Sequence, residues 1–241
     1  MEVGIKLWSR DHTALADCGF ADFIEVMPVP GVSLERFKSY DYKYAIHAPH
    51  SEFGLNLADP KLEKKNMELL SLAVKAADEL NADVIVVHTG FTSDKLKIKN
   101  PVENINAFFK KFRDERFHVE NLLAAEASRV YSGKTPEELT EITAPFGFKF
   151  CFDFGHAIGA ANTKGIDYKK LVDAFLKLKP DYFHLSGTNL DKEVDGHLSL
   201  FDGNLDISWA KKIIAKRNRP VCLETPLNIE QRKKEVKLLK G

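Results

Sequence analysis

The chain has 241 residues, of which 35 are basic and 35 acidic, and 44% are hydrophobic. This length and composition suit one large globular domain over residues 1–241, because α/β barrels often reach this size as a single unit. The zero net charge gives the chain no overall electrostatic attraction for nucleic acid or for an anionic membrane. A local basic rim is still compatible with that total.

The sequence also lacks the features of membrane-spanning and secreted proteins. No apolar stretch approaches the roughly 18 residues that suggest a membrane span, and the first residues lack the apolar core of a signal peptide. The chain has an odd number of cysteines, Cys18, Cys151 and Cys222, and no pair of them has the spacing of a metal site. This pattern is typical of buried free thiols in a reducing compartment. We therefore expect a cytoplasmic protein without a membrane partner.

Eight short apolar segments predict β-strands along the chain. They are rich in Val, Ile, Phe and Tyr, and several are apolar at successive positions, as expected for parallel strands buried on both faces. The predicted strands cover residues 3–8, 22–27, 42–47, 83–88, 117–120, 148–153, 182–185 and 220–224.

Helical patterns separate these segments. The clearest covers residues 59–80, where apolar residues recur at spacings of three and four and Asp59-Pro60 provides an N-cap followed by proline in the first turn. The others cover residues 135–142, 167–178 and 229–239. Eight strands alternating with helices predict an α/β fold, a closed (β/α)₈ TIM barrel. The alternative, an open doubly wound sheet, lacks support because no strand is followed by a Gly-rich phosphate loop.

Histidines and carboxylates follow the carboxyl ends of the predicted strands. Because these ends converge on one rim in a barrel, we expect their side chains to share a cavity. Taken singly, each residue is more often an ordinary polar residue; their common location makes them candidates for binding Zn²⁺, Mn²⁺ or Fe²⁺. The set is His47, His50, His88, Glu120, Asp153, His156, His184, Asp195, His197 and Glu224.

The motifs that contain these residues resemble those of a known family. In chain order they are IHAP, LNLADP, VVHTG, VENL, CFDFGHA, FHLSG, DGHLSL and LETP. All of them, in this order and each at or just after the corresponding strand, resemble the endonuclease IV branch (AP endonuclease family 2) of the xylose-isomerase-like TIM barrels. The resemblance extends from the third predicted strand to the eighth.

The resemblance implies a cluster of three metal ions, usually zinc, with Mn²⁺ or another divalent metal also possible. It implies Glu120 and Glu224 as the catalytic carboxylates, and abasic DNA as the partner, cut on the 5′ side of the lesion. The nine metal ligands that it implies are His47, His88, Glu120, Asp153, His156, His184, Asp195, His197 and Glu224.

Two further residues are candidates for binding the substrate. His47 and His50 compete as the ligand of the third strand, and the HisAlaPro form of the motif favours His47. His50 could then stack on an abasic site or hydrogen-bond with it. Phe53 could serve as an apolar wedge in the DNA.

The charge of the site favours several metal ions. The four carboxylates among the nine residues carry a formal charge of −4. One divalent ion would leave the site negative and hostile to a phosphate, whereas three would make it positive. This reasoning favours a multinuclear cluster that acts on a phosphodiester.

Two alternative functions stay open. Related sugar isomerases and epimerases commonly use one divalent metal, which would be held here by Glu120, Asp153, His184 and Glu224. Glu120 and Glu224 would then move protons across an enediolate of a small sugar. The neutral charge and the short loops favour this alternative, and the five further ligands favour the phosphodiesterase. A non-catalytic barrel that binds a metal or ligand is the third possibility.

A neutral phosphodiesterase would need a local basic rim for DNA. Candidates in the loops after the first and fourth predicted strands are Arg10, Lys95, Lys97 and Lys99. The residues from 95 to 99 could equally be an ordinary solvated loop.

Overall fold

Each of the eight predicted strand segments contains a strand in the computed structural model, which describes residues 1–241. The strands are β1 (Val3–Trp8), β2 (Phe23–Met27), β3 (Tyr44–His47), β4 (Ile85–Val87), β5 (Phe91–Ser93), β6 (Phe117–Glu120), β7 (Ala125–Glu126), β8 (Arg129–Tyr131), β9 (Lys149–Asp153), β10 (Tyr182–Leu185) and β11 (Val221–Leu223).

Eight of these strands form one closed parallel barrel. Its order is β1-β2-β3-β4-β6-β9-β10-β11, and β11 pairs with β1 to close the ring. The predicted (β/α)₈ barrel is therefore confirmed, and the doubly wound alternative is wrong because the sheet has no open edge. The remaining strands form a small antiparallel sheet in the order β5-β8-β7 beside the mouth of the barrel.

Eight α-helices accompany the strands. They are α1 (Glu35–Lys38), α2 (Glu63–Leu80), α3 (Pro101–Lys111), α4 (Pro136–Thr143), α5 (Phe154–Lys164), α6 (Tyr168–Leu176), α7 (Ile207–Arg217) and α8 (Ile229–Lys240). The helix predicted over residues 59–80 starts as a 3₁₀ turn at Pro60–Leu62, where the Asp59 side chain accepts a hydrogen bond from the Lys61 amide, and continues as α2. No helix has the length and apolar character needed to cross a membrane.

The inside of the barrel has an apolar floor beneath a polar layer. Outward side chains such as Ile5, Ile24 and Val119 join the main core against the helices. Inward side chains of the floor are those of Phe23, Ala45, Val86, Cys151, Tyr182 and Cys222. Because side chains alternate along a strand, the residue two positions further on points inward again, nearer the carboxyl end.

That second inward position forms the polar layer, and every barrel strand or its immediate end contributes one residue to it. The eight residues, in barrel order, are Lys6, Glu25, His47, His88, Glu120, Asp153, His184 and Glu224. Six of them belong to the predicted ligand set. All three cysteines are buried and unpaired, as their spacing predicted.

Candidate metal centre

Glu120, at the end of β6, lies at the centre of the polar layer and is fully buried. Its Oε2 is 2.9 Å from Nε2 of His88 and 3.5 Å from Nε2 of His47. Its Oε1 is 3.2 Å from Nδ1 of His156 and 3.2 Å from Nδ1 of His184. One carboxylate thus faces four of the predicted histidine ligands.

Glu224, at the end of β11, connects this group to the remaining predicted ligands. Its Oε1 is 3.1 Å from Nδ1 of His184, and its Oε2 is 3.5 Å from Nδ1 of His197. His197 in turn lies 3.7 Å from Oδ2 of Asp195. The loop after β10 therefore brings Asp195 and His197 to the same end of the barrel as Glu120.

Asp153 and His156 are positioned by the start of α5. Oδ1 of Asp153 accepts a hydrogen bond of 2.6 Å from the His156 amide, so Asp153 is the N-cap of the helix. Asn121 holds the Asp153 backbone from both sides: its Nδ2 donates to the Asp153 carbonyl and its Oδ1 accepts from the Asp153 amide. The carboxylate is thereby directed into the barrel. With these contacts, each of the nine predicted ligands lies within 4 Å of another.

Three buried carboxylate oxygens in or beside this cluster have no hydrogen-bond partner. They are Oε1 of Glu25, Oδ2 of Asp153 and Oδ2 of Asp195. A buried carboxylate oxygen without a donor is costly, and a cation removes that cost. Ligand atoms of His47, His88 and Glu120 lie within 4.8 Å of one another, as do those of Glu120, Asp153 and His156. The donor set therefore fits divalent metal ions with nitrogen and oxygen ligands.

Burial and neighbouring charge shift the pKa values of these groups in opposite directions. Burial raises the pKa of Asp153 to about 7. Burial also disfavours the charged form of His156, but the carboxylates of Asp153 and Glu120 outweigh it and raise the pKa to about 10. Burial dominates at His88 and lowers its pKa to about 4. Strong pKa shifts in opposite directions within one buried cluster are characteristic of functional sites.

Two residues of the polar layer, Lys6 and Glu25, were missed by the sequence reasoning. Nζ of Lys6 is 2.6 Å from Oε1 of Glu224, and Oε2 of Glu25 is 2.9 Å from Nε2 of His184. Both lie two residues before the end of their strand, β1 or β2, whereas the predicted site residues lie at or after strand ends. A charged residue in the middle of an otherwise apolar strand was the available signal, as in GIKLW and FIEVM.

His47 and His50 occupy different places. His47 is buried, its Nδ1 lies 2.8 Å from the Ala48 carbonyl, and its Nε2 faces Glu120. The His50 ring stacks on His88 with ring centroids 5.6 Å apart and lines the mouth of the barrel. His47 therefore lies within the polar layer, and His50 lies above it at the mouth.

Aromatic side chains form one wall of the mouth. Trp8, at the end of β1, has its ring 6.1 Å from that of His50 and 5.6 Å from that of Phe53. Phe53 packs behind the other two rings and does not line either of the two cavities that open above the cluster, which are described below. It therefore supports the aromatic wall and does not project as a wedge.

Two adjoining cavities open above the predicted ligand side chains, with volumes of about 450 and 250 Å³. Both are lined by Lys6, His50, His197 and Glu224. This space is on the scale of an ordinary small-molecule site.

The basic side chains near the cavities are only partly those that the sequence predicted for a basic rim. Arg10 stacks on the Trp8 ring, with its guanidinium carbon 3.9 Å from the ring centroid. The exposed loop that carries Lys95, Lys97 and Lys99 does not line either cavity. Arg129 of β8 does line the smaller cavity, where its guanidinium lies over the Phe91 ring and 3.3 Å from Oγ of Ser51. It was missed because the small antiparallel sheet that carries it was not predicted.

The sequence of this chain is similar to a known protein family and to known proteins. A family model described as the xylose isomerase-like TIM barrel matches residues 14–241. The apurinic-apyrimidinic endonuclease 1 of Plasmodium berghei (strain Anka) is 26% identical over 211 residues, which cover 80% of this chain. The match covers 41% of that relative, so this chain corresponds to less than half of it.

Solved structures resemble this one along their whole length. A D-tagatose 3-epimerase-like protein superposes with a TM-score of 0.76 and 19% identity, covering 100% of this chain and 97% of its own. Endonuclease IV from Thermus thermophilus superposes with a TM-score of 0.68 and 19% identity, covering 100% and 98%. At this identity the superpositions show a shared fold, which both an epimerase-like protein and an endonuclease adopt.

Proposed function

The chain belongs to the xylose isomerase-like TIM barrel family, and from that premise we propose that it is a metal-dependent phosphodiesterase that cuts DNA on the 5′ side of an abasic site. The similar proteins named above are of two kinds, endonucleases and an epimerase-like protein. The fold is common to both, so the choice between them depends on the site.

The five ligand-type side chains beyond a four-residue set carry this proposal. A single metal would need only Glu120, Asp153, His184 and Glu224. The structure adds His47 and His88 on one side of Glu120 and His156 on another, and it adds Asp195 and His197 beside Glu224. One metal ion takes about four protein ligands, so five further ligand-type side chains favour a multinuclear site of the kind that phosphodiesterases use.

The residues that would hold the metal ions fall into neighbouring groups. His47, His88 and Glu120 form one group, and Glu120, Asp153 and His156 form another. We propose at least two divalent ions per chain, with zinc as the expected metal because His and carboxylate predominate among the ligands. When bound, these ions would supply Lewis-acid catalysis at a phosphoryl group.

The chain's own side chains would bind and orient the substrate. The aromatic wall of Trp8 and His50 faces the cavity and offers ring surfaces to an extruded sugar or to a neighbouring base. Arg10 stacks on Trp8 of the aromatic wall, Arg129 lines the smaller cavity, and both would bind backbone phosphates. Glu224, with Oε2 turned toward the cavity near His197, would orient the attacking water or hold its proton.

A sugar isomerase or epimerase is the second candidate, and one observation favours it. The smaller cavity, of about 250 Å³, lies directly above Glu224 and His156 and suits a monosaccharide. Glu120 and Glu224 both approach Nδ1 of His184, at 3.2 and 3.1 Å. Two carboxylates so placed would exchange a proton at neighbouring carbons of a sugar.

One preparation distinguishes the two functions. We expect the zinc-loaded protein to nick a labelled duplex on the 5′ side of a tetrahydrofuran abasic analogue, and to leave an undamaged duplex of the same sequence intact. An intact abasic duplex under zinc, manganese and cobalt, together with deuterium uptake beside the carbonyl of a ketose in heavy water, would instead establish the isomerase.

A further inference from the structure

Lys6 is the one cationic side chain of the polar layer that is not a histidine. Its Nζ lies 2.6 Å from Oε1 of Glu224 and 3.9 Å from Oε1 of Glu25, and its side chain is 12% exposed. The two carboxylates are 6% and 0% exposed. An ammonium group is therefore enclosed between two buried acids inside the proposed metal centre.

The barrel itself sets this position. β1 lies between β2 and β11, with Lys6 paired in register to Glu25 and Ile5 paired to Leu223. The inward side chains of Glu25 and Glu224 must then stand on either side of Lys6. The contact follows from backbone register and does not depend on a flexible surface side chain finding a partner.

The same place has the ligands of a divalent metal site. Ligand atoms of Glu25, His47, His184 and Glu224 lie within 4.8 Å of one another, and all four residues are buried. Oε1 of Glu25, the oxygen nearest to the ammonium, has no hydrogen-bond partner. Without Lys6, these four side chains would form a site of the kind that binds zinc.

We propose that the Lys6 ammonium is a built-in cation of the metal centre, filling the position between Glu25 and Glu224 that would otherwise take a divalent ion. This inference rests on the proposed metal-dependent function. Lys6 and Glu25 are then positioning residues. Lys6 binds Oε1 of Glu224 and leaves Oε2 available to the metal ions, and Glu25 contacts Nε2 of His184. Metal-ligating histidines are usually oriented by such a partner on the second ring nitrogen.

The Lys6 ammonium competes with a divalent ion for the oxygens of Glu25 and Glu224. The five carboxylates of Glu25, Glu120, Asp153, Asp195 and Glu224, together with one ammonium, carry a formal charge of −4. An ion bound between Glu25 and Glu224 would have to displace the ammonium, whereas ions held by the other side chains would not. Removing the Lys6 charge leaves a more negative site with a vacant position, so the centre should accept one ion more.

The test is a count of zinc per chain, by elemental analysis after dialysis and by calorimetric titration of the metal-free protein. We expect the same count, of at least two ions, for the unmodified protein and for Lys6→Arg, which keeps the charge. We expect one ion more for Lys6→Met, and the original count again for Lys6→Met combined with Glu25→Gln, because the added site loses an oxygen ligand. An unchanged count in folded Lys6→Met would overturn the inference.

Glu25→Gln alone keeps the test decisive if Lys6→Met does not fold. Lys6 then still neutralises Glu224, so the zinc count should stay at the value of the unmodified protein, whereas the loss of one ion would show Glu25 to be a ligand and contradict the inference. The counts also separate the two proposals. A count of one or none in the unmodified protein overturns the multinuclear function, and equal counts in the unmodified protein and in folded Lys6→Met overturn only the assignment of Lys6.

Discussion

At the scale of single residues, the contacts of Glu224 explain its place in the proposed mechanism. Its own strand segment, PVCLE, contains no basic residue, but Lys6 of the adjacent strand contacts one of its oxygens and His197 approaches the other. Burial alone would raise the pKa of this carboxyl, but His184, Lys6 and His197 together outweigh burial and hold the pKa well below its ordinary value. Glu224 is therefore ionised at neutral pH, as a metal ligand or water-orienting group must be.

We expect Glu224→Gln to fold and to lose activity by roughly 10²–10⁴-fold, because an amide cannot accept a proton and is a poor metal ligand. The measurement is kcat on an abasic duplex with the zinc-loaded protein. Glu115→Gln, at an exposed position distant from the cluster, is the matched control and should keep normal turnover. Near-normal kcat in Glu224→Gln would remove this residue from the mechanism.

At the scale of elements, the first turn of α5 joins two parts of the site. Asp153 caps the helix, and His156 follows three residues later and faces Glu120. Gly155 lies between them, and a Cβ at that position would come within 2.4 Å of Oδ2 of Asp195. The glycine of the FGHA motif therefore admits a carboxylate from the loop after β10 into the cluster.

Gly155→Ala should displace Asp195 and weaken metal binding at the outer part of the cluster while the barrel stays folded. We expect about a tenfold rise or more in the Kd of the weakest zinc ion in a calorimetric titration. Displacing a side chain that binds or orients a metal typically weakens metal binding by about this factor. The far-ultraviolet circular dichroism spectrum should be unchanged. Gly19→Ala is the control, because its added methyl would meet only the Tyr42 hydroxyl at 4.0 Å. Equal zinc affinities in the two variants would show that the fit of Asp195 against α5 does not matter.

At the scale of the whole molecule, the proposed DNA substrate would have to be attracted by local charge, because the chain is formally neutral. The sequence pointed to Arg10 and to the loop of Lys95, Lys97 and Lys99. In the structure Arg10 stacks on Trp8, the lysine loop does not line the cavities, and Arg129 of the small sheet lines the smaller cavity. Arg10 and Arg129 come from segments that are remote from one another along the chain.

We expect Arg129→Gln to weaken binding of an abasic duplex and to reduce the slope of log K against log salt by about 1, the value for one lost phosphate contact. Fluorescence anisotropy across a salt series measures both quantities. Lys95→Gln, which removes the same charge from the exposed loop, should leave the slope unchanged. A reduced slope in the lysine variant and none in the arginine variant would transfer the DNA contact to the lysine loop.

The sequence by itself determined the barrel, its eight strands and nine of the side chains that meet at its mouth. It could do so because apolar strand segments, helix caps and strand ends are local patterns, and because a barrel brings all strand ends to one rim. Tertiary structure alone decided which side chains touch. The pairing of Lys6 with Glu224 joins residues 218 positions apart, and it exists because β1 closes the ring beside β11. The approach of Asp195 to Gly155 and of Arg129 to the cavity likewise depends on loop paths that no local pattern specifies.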